Sequence, residues 1–335
     1  MKLIIQIPCL NEEAVLSTTL ADLPRDVEGF EAVEWLVIDD GSTDQTAEVA
    51  RQCGVDHIVR FSTNKGLAVA FQAGIDAALK LGADVIVNTD ADHQYRGADI
   101  PKLVAPILAA EADLVVGERN FQEHEEFSGT KRVLQSWGSW VVRQASGTSI
   151  PDATSGFRAY SREAALKLNV VSSFTYTLET LIQAGKTDLA VAHVPIETNP
   201  KTRESRLFRS IPSYVGRSTA TILRIYAMYE PLRIFLWLAA ITGAAGMALV
   251  IRFTWLFFSE SGPTGHVQSL IVGCALLVFA LQLAMLGVIG DLLRANRVLS
   301  ERTLHRVRSI ELELGIRPDG LYEELVGAKY GNPDD

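Results

Sequence analysis

Cysteine is scarce in this chain, with only three copies among 335 residues. Cys9, Cys53 and Cys274 lie far apart, so they match neither the paired spacing of a zinc site nor the framework of a disulfide-rich domain. The chain also has no complete Gly-x-Gly-x-x-Gly fingerprint and no complete Gly-x-x-x-x-Gly-Lys-Ser/Thr loop. Standard dinucleotide-binding and P-loop folds are therefore not supported.

Positive charge is also in short supply. The 31 Lys and Arg residues face 40 Asp and Glu residues, which gives a net charge of −9. An acidic balance of this kind argues against nucleic acid as a partner. There is no internal repeat and no low-complexity segment, and the length suits one α/β domain plus a small membrane hairpin.

Charge is absent from two long apolar runs, 234–251 and 267–290. Arg252 interrupts the first run near its outer end, and 253–258 continues it. Each run is long enough to cross a bilayer as a helix. A pair of buried core helices is the alternative, but two such runs have no matching soluble partner segment.

The connector 259–268 has no Lys or Arg, whereas arginines flank the two runs on their other sides. The positive-inside rule therefore predicts a hairpin in the cell membrane with both termini, and the domain before it, in the cytoplasm. The flanking arginines are Arg224, Arg233, Arg294, Arg297 and Arg302.

Strand and helix signals alternate along the first part of the chain. A strand is expected at 3–7, ended by Pro8, and a second one leads into Asp39. Ser42 or Thr43 is expected to cap a helix over 47–53. Further signals follow at 59, 66–81, 85–89, 100–109 and 114–117. This alternation predicts a parallel sheet with helices on both faces.

Aspartates follow two of these strands. Asp90 and Asp92 end the apolar run 83–89, where two carboxylates two residues apart can converge on Mg²⁺ or Mn²⁺. A polar turn is the alternative, since Asp is common in turns. Asp39 could accept hydrogen bonds from a base or ribose beyond the end of its strand, while Asp40 and Asp44 are expected only to shape the turn and cap.

Five segments in this order together resemble the GT-A glycosyltransferases of family 2, and within them the polyisoprenyl-phosphate glycosyltransferase and dolichyl-phosphate mannose synthase branch. The resemblance covers roughly residues 2–230 and implies a Rossmann-like, mostly parallel α/β catalytic domain. The segments are Pro8-Cys9-Leu10-Asn11-Glu12-Glu13, Val37-Ile38-Asp39-Asp40-Gly41-Ser42-Thr43-Asp44, Asn64-Lys65-Gly66-Leu67, Asp90-Ala91-Asp92-His93-Gln94 and Asp152-Ala153-Thr154-Ser155-Gly156-Phe157-Arg158-Ala159-Tyr160.

The resemblance also implies roles for individual residues. The nucleotide pocket would be lined by Pro8, Leu10, Glu12, Val37, Asp39 and Lys65. The metal and the diphosphate would be held by Asp90, Asp92 and Gln94, with Ala91 in the same segment. Arg119 and Arg206 match basic positions that contact phosphates, and Asp152 would orient the acceptor or stabilise charge on the sugar. His93 is expected to be a loop residue and not a ligand.

The implied activity is transfer of a hexose from a UDP- or GDP-linked sugar to a polyisoprenyl phosphate, with inversion at the anomeric carbon. The pattern Gln-x-x-Arg-Trp of processive synthases is absent, which argues against polymerisation. Two alternatives stay open: a membrane-tethered glycosyltransferase with a soluble or glycolipid acceptor, and a non-catalytic scaffold. Tetramers are common among relatives with such a hairpin, so a homo-oligomer is a further expectation.

These inferences divide the chain into five parts. We expect a catalytic domain over 1–205, interfacial amphipathic helices over 206–231, membrane spans over 232–258 and 267–290, and a cytoplasmic tail over 291–335. Within the tail, 291–315 is expected to be a charged helix and 318–335 a short helix with a frayed end. The segment 121–129 is expected to be a mobile loop that could act as a lid over the acceptor site. A basic cluster suited to membrane lipid or a lipid phosphate is formed by Arg203, Arg206, Arg209, Arg217 and Arg224.

Overall fold

A computed structural model describes residues 1–119, 147–148, 150–170, 176–187, 189–200, 229–259, 267–315 and 325–326. The chain divides into two compact units. The first comprises Met1–Ile222 together with Thr303–Asp335, and the second is Leu223–Arg302.

The first unit is built on a mixed, mostly parallel sheet. Its strands, in chain order, are β1 Lys2–Cys9, β2 Ala32–Asp39, β3 His57–Arg60, β4 Val85–Asn88, β5 Leu114–Arg119, β6 Arg158–Ser161, β7 Val191–Ile196 and β8 Leu325–Val326. The order across the sheet is β7-β5-β6-β4-β1-β2-β3-β8. Strand β6 runs antiparallel to both of its neighbours, and β8 runs antiparallel to β3. The other pairs are parallel, so the predicted fold class is confirmed.

Helices cover both faces of this sheet. They are α1 Leu16–Asp22, α2 Thr46–Gln52, α3 Leu67–Lys80, α4 Ile100–Leu108, α5 Arg162–Lys167 and α6 Thr177–Lys186, with a 3₁₀ turn at Gly97–Asp99. Because side chains alternate along a strand, Ile5 and Ile7 enter the core cluster that contains Leu16 of α1. Gln6 points to the opposite face, where its amide meets Gly74 of α3.

Two local expectations were wrong. Pro8 does not end the first strand, because β1 continues to Cys9 and pairs with β2 there. The main chain of Pro8 faces the β4 side, where pairing has already stopped at Gln6, so its missing N–H costs no ladder hydrogen bond. Neither Ser42 nor Thr43 caps α2: Ser42 Oγ accepts the main-chain N–H of Asn11 at 2.9 Å, and Thr43 Oγ1 donates to Asn11 Oδ1 at 3.3 Å.

The second unit contains two long helices, α7 Pro231–Ser259 and α8 Val267–Glu313, of which α8 continues into the first unit. Both are long and apolar enough to cross a membrane. Small residues line their antiparallel contact: a Cβ added to Gly246 would lie 2.9 Å from the carbonyl oxygen of Gly273, and one added to Gly243 would lie 3.5 Å from Ala280. Close backbone approach at small residues is typical of helices packed in lipid.

The C-terminal part of α8 and strand β8 belong to the first unit. Arg308 pairs with Asp76 of α3 at 3.1 Å and donates to the carbonyl of Leu168 at 3.0 Å. The expectation of a short helix over 318–335 was wrong at 325–326, where the chain adds a strand to the edge of the sheet beside β3. Main-chain groups left open at a sheet edge provide the partners for such a strand.

Candidate active site

The predicted site residues gather at the carboxyl ends of parallel strands. Cys9 of β1 lies in register with Asp39 of β2, and β4 next to them leads into Asp90. Asp40 N–H donates to the carbonyl of Cys9 at 2.9 Å, which continues the pairing just past the strand ends. The fold therefore brings the first, second and fourth motif segments to the edge of the sheet where open α/β folds bind ligands.

Asp39 lies fully buried at this edge. Its Oδ1 accepts the main-chain N–H of Ser42 at 2.8 Å. Its Oδ2 is 3.1 Å from Arg60 Nε but has no hydrogen-bond donor among the described residues. A buried carboxylate oxygen of this kind is an acceptor that a ligand N–H or O–H could satisfy.

Asp44 makes a local hydrogen bond, as expected from the sequence, whereas Asp40 does not act only in its own turn and bonds to a segment 25 residues further along the chain. Asp40 accepts the main-chain N–H groups of Lys65 and Gly66 at 2.7 and 2.9 Å, which ties the third motif segment to the second. Burial raises the pKa of Asp40, and these hydrogen bonds offset part of that increase. Asp44 accepts from the main chain of Thr46 at 3.0 Å at the start of α2.

The remaining residues predicted for the nucleotide pocket differ in exposure. Lys65 is exposed, with its Nζ 4.9 Å from the ring centre of Phe61. Leu10 is partly buried, whereas Pro8 and Glu12 are buried at the end of β1 and just beyond it. Val37 is fully buried in the core of β2.

The loop after β4 carries the two aspartates proposed as metal ligands. Asp90 lies in a recess surrounded by protein and is only partly accessible. Burial, and then the neighbouring Asp92 carboxylate, raise the pKa of Asp90 to about 7. The loop is anchored because the Ala91 carbonyl accepts Thr19 Oγ1 of α1 at 2.9 Å. A carboxylate whose charge is disfavoured by burial and by a neighbouring carboxylate is one that a bound divalent cation would stabilise.

Asp152 and Arg119 form a buried ion pair beside these aspartates. Arg119 Nε and Nη2 lie 2.7 and 3.0 Å from the two carboxylate oxygens of Asp152. Thr154 joins both, accepting from Arg119 at 2.9 Å and donating to Asp152 at 3.0 Å. Burial alone would raise the pKa of Asp152, but the Arg119 charge and its hydrogen bonds hold it below the ordinary value. Asp152 is therefore a carboxylate at neutral pH and a poor proton acceptor.

Gly156 lets the fifth motif segment approach Asp90. A Cβ at this position would lie 3.0 and 3.1 Å from the Asp90 carboxylate oxygens and 2.8 Å from Tyr176 Oη. Asn88 donates to the Gly156 carbonyl and to Tyr176 Oη, both at 2.8 Å, and accepts from Gln6 at 2.9 Å. These hydrogen bonds between buried polar groups connect β1, β4 and the residue before α6, and they hold the surface on which Asp90 lies.

Arg158 is a site-supporting residue that was quoted in a motif but given no role. Its side chain is fully buried. Its guanidinium donates to the carbonyls of Ala153, Ser155 and Thr177 at 2.8, 2.8 and 2.7 Å, and to Thr180 Oγ1 at 2.7 Å. Arg158 thus ties the Asp152–Gly156 turn to α6. The spacing of residues in the sequence could not predict this role, because three of the four acceptors are main-chain carbonyls, which every residue has.

Other predicted features lie outside the described residues. Arg206 and the rest of the basic cluster, the proposed lid at 121–129 and almost all of the proposed interfacial helices belong to this group. Across the described ranges, no set of three or more His, Cys, Asp or Glu side chains is placed to hold a metal ion. The proposed metal site has two carboxylates and the amide of Gln94. This number of ligands is sufficient for Mg²⁺, because Mg²⁺ sites commonly use only one or two carboxylates plus substrate phosphates.

Comparison with known proteins identifies the class. Residues 4–168 match the sequence profile described as Glycosyl transferase family 2. An undecaprenyl-phosphate mannosyltransferase of Micrococcus luteus is 30% identical over 70% of this chain and 98% of its own length. The chain belongs to glycosyltransferase family 2.

A second relative and a solved structure extend this result. A UDP-N-acetylglucosamine–dolichyl-phosphate N-acetylglucosaminyltransferase of Methanococcus voltae is 29% identical over 57% of this chain and 83% of its own length. Both relatives support the polyprenyl-phosphate branch of the family. Glucosyl-3-phosphoglycerate synthase of Mycobacterium tuberculosis, solved with Mn²⁺, UDP-glucose and phosphoglyceric acid, has a TM-score of 0.55 at 22% identity, covering 68% of this chain and 80% of that chain. That similarity shows the GT-A fold.

Proposed function

We propose that this glycosyltransferase moves a hexose from a UDP- or GDP-linked sugar to a polyisoprenyl phosphate at the cytoplasmic face of the membrane, with inversion. The observation that carries the proposal is the Asp90–Asp92 pair beside the Arg119–Asp152 ion pair, in a chain with two helices apolar enough to span a membrane. The names of the two polyprenyl-phosphate relatives support the acceptor class.

The donor nucleotide would bind over the ends of β1 and β2. The unsatisfied Oδ2 of Asp39 would accept an N–H or O–H of the base or ribose. Lys65 and Glu12 flank this position in the sequence motifs, and the hydrogen bonds of Asp40 hold the Lys65 segment in place. A charged side chain such as Lys65 suits a diphosphate as a point charge.

Asp90 and Asp92, with Gln94, would hold Mg²⁺ or Mn²⁺. The fit is supported by the raised pKa of Asp90: burial and the Asp92 carboxylate outweigh the nearby Arg119 and Arg158 charges that lower it, so a bound cation would stabilise the ionised carboxylate. The structural neighbour solved with Mn²⁺ supports a divalent ion as the cofactor. When bound, the cation would offset the negative charge that collects on the leaving diphosphate.

The acceptor requires little help from a general base. A phosphate monoester has a second pKa of about 6 and is largely a dianion at neutral pH. Asp152 is already ionised by its ion pair with Arg119, so its role would be to orient Arg119 and to stabilise positive charge that develops on the sugar. Attack from the face opposite the diphosphate would invert the anomeric centre.

The membrane arrangement belongs to the same proposal. A hairpin with a connector that lacks Lys and Arg would place both termini and the catalytic unit in the cytoplasm. Arg206 would then contact a phosphate of the donor or of the lipid. A homo-oligomer such as a tetramer is compatible with this arrangement and stays a prediction.

The test is a transfer assay with full-length protein in lipid nanodiscs, radiolabelled UDP- and GDP-sugars, and extraction of labelled polyprenyl product. Asp92→Asn should nearly abolish transfer without changing the melting temperature much. Asp26→Asn, at an exposed position, is the control and should transfer like wild type. Full activity of Asp92→Asn in EDTA would contradict the proposal. Label appearing only in water-soluble product would instead favour the tethered enzyme with a soluble acceptor.

A further inference from the structure

The segment that follows β7 is joined to the loop that carries the two aspartates. Asn199 N–H donates to the Gln94 carbonyl at 2.9 Å, and Tyr95 forms an antiparallel bridge with Thr198. Glu197 N–H donates to Asp99 Oδ2 at 2.8 Å. Residues 197–199 thus lie along residues 94–99, although more than 95 residues separate the two segments in the chain.

His93 has an unusual backbone conformation at the centre of this contact. Its φ is 59°, in the left-handed region that a residue with a Cβ seldom adopts. Asn199 Nδ2 donates to the His93 carbonyl at 3.1 Å and lies 3.3 Å from His93 Nε2. The Asn199 side chain therefore holds both the main chain and the ring of this residue.

The conformation of His93 determines how its two neighbours are presented. The Gln94 N–H donates to Asp92 Oδ1 at 3.2 Å across the turn that His93 makes. If His93 relaxed to a negative φ, the chain would change direction between Asp92 and Gln94, and their side chains would be presented differently. Residues in sparsely populated backbone regions persist only where surrounding contacts hold them.

We propose that Asn199 is a positioning residue that holds the turn at His93 and thereby keeps Asp92 and Gln94 in the shape that binds the divalent cation. The inference rests on the proposed function, since it assumes a cation at Asp90 and Asp92. Groups that orient ligands without contacting the metal commonly contribute about tenfold or more to affinity. Asn199 lies outside every motif in the sequence, and it stands seven positions before Arg206.

The experiment measures Mn²⁺ affinity of the full-length protein by the EPR signal of free Mn²⁺ at a fixed concentration of UDP or GDP, with a protein-free nucleotide sample as the reference. Binding that is lost in Asp90→Asn/Asp92→Asn defines the specific site. Asn199→Ala should weaken that binding by about tenfold. Asn169→Ala is the matched control, because Asn169 bonds to Gln183 through its main chain only, and its affinity should equal that of wild type.

A glycine at position 93 separates positioning from a general structural role. Glycine adopts positive φ without steric cost, so His93→Gly should make Asn199 dispensable. His93→Gly and His93→Gly/Asn199→Ala should then bind Mn²⁺ equally. This comparison also works if Asn199→Ala alone folds poorly.

Two results would overturn the inference. One is a wild-type affinity for Mn²⁺ in Asn199→Ala. The other is a loss of Mn²⁺ affinity from Asn199→Ala that is equally large whether residue 93 is histidine or glycine. A wild-type protein that binds no more Mn²⁺ than Asp90→Asn/Asp92→Asn would contradict the metal site of the proposed function itself, and with it the inference. The three results are distinguishable in one titration series.

Discussion

Replacing Asp90 or Asp152 by asparagine should change the stability of the protein in opposite directions. Both are carboxylates in one recess, and each can be changed to asparagine with little change in shape. Burial and Asp92 raise the pKa of Asp90 to about 7, whereas Arg119 outweighs burial and holds the pKa of Asp152 below its ordinary value. Ionised Asp90 therefore costs stability, and ionised Asp152 contributes to it.

The size of the Asp90 effect follows from linkage. An unfolded Asp has a pKa of about 3.9, so the folded value is raised by roughly three units, which corresponds to roughly 4 kcal/mol as an upper bound. Below about pH 4 the residue is protonated in both states and the cost is absent. Between about pH 4 and 7 folding takes up a proton, so stability falls as the pH rises, and above about pH 7 the full cost remains.

The assay is a series of melting temperatures in detergent, without divalent cations, between pH 4.5 and 8. At pH 8 Asp90→Asn should melt higher than wild type, and the difference should shrink toward pH 4.5. Asp152→Asn should melt lower at pH 8, because it leaves the buried Arg119 without its partner, a loss of about 3–5 kcal/mol. Added Mn²⁺ should raise the melting temperature of wild type but not of Asp90→Asn.

The reasoning would be refuted if Asp90→Asn melted at or below wild type at pH 8, or if its gain did not depend on pH. A loss in Asp152→Asn no larger than that in the surface control Asp26→Asn would refute the assignment of the Arg119 ion pair as stabilising.

Three further predictions concern phosphate binding, membrane topology and the support of the site. Arg206→Ala should lower turnover at least tenfold, roughly 1.4 kcal/mol, while Arg209→Ala should not; equal, mild losses would show that the cluster acts only as a membrane anchor. A cysteine at Ser261 should be labelled by an impermeant reagent from outside the cell, and labelling of the C-terminal tail from outside would contradict the hairpin orientation. Arg158→Lys should lower both the melting temperature and transfer, because it cannot reach all four acceptors; unchanged kcat and melting temperature would remove its supporting role.

The sequence by itself determined the elements whose signals are local. Alternating strand and helix patterns placed β1 to β5 and α2 to α4 within a few residues, since burial on one face imposes a period along the chain. The position of Asp90 and Asp92 just beyond a strand could be predicted from the sequence for the same reason. Two charge-free runs were sufficient to predict helices long enough for a bilayer, because backbone hydrogen bonds in lipid must be satisfied within the segment.

Only the tertiary structure decided which distant residues meet. Nothing in the spacing of Arg119 and Asp152 shows that they pair with each other, yet this pairing decides the charge state of Asp152. The antiparallel insertion of β6 between β4 and β5 is what brings Gly156 against Asp90. Asn199 and His93 are 106 positions apart. Contacts of this kind depend on how helices and strands pack in three dimensions, so they cannot be predicted from a local pattern of residues.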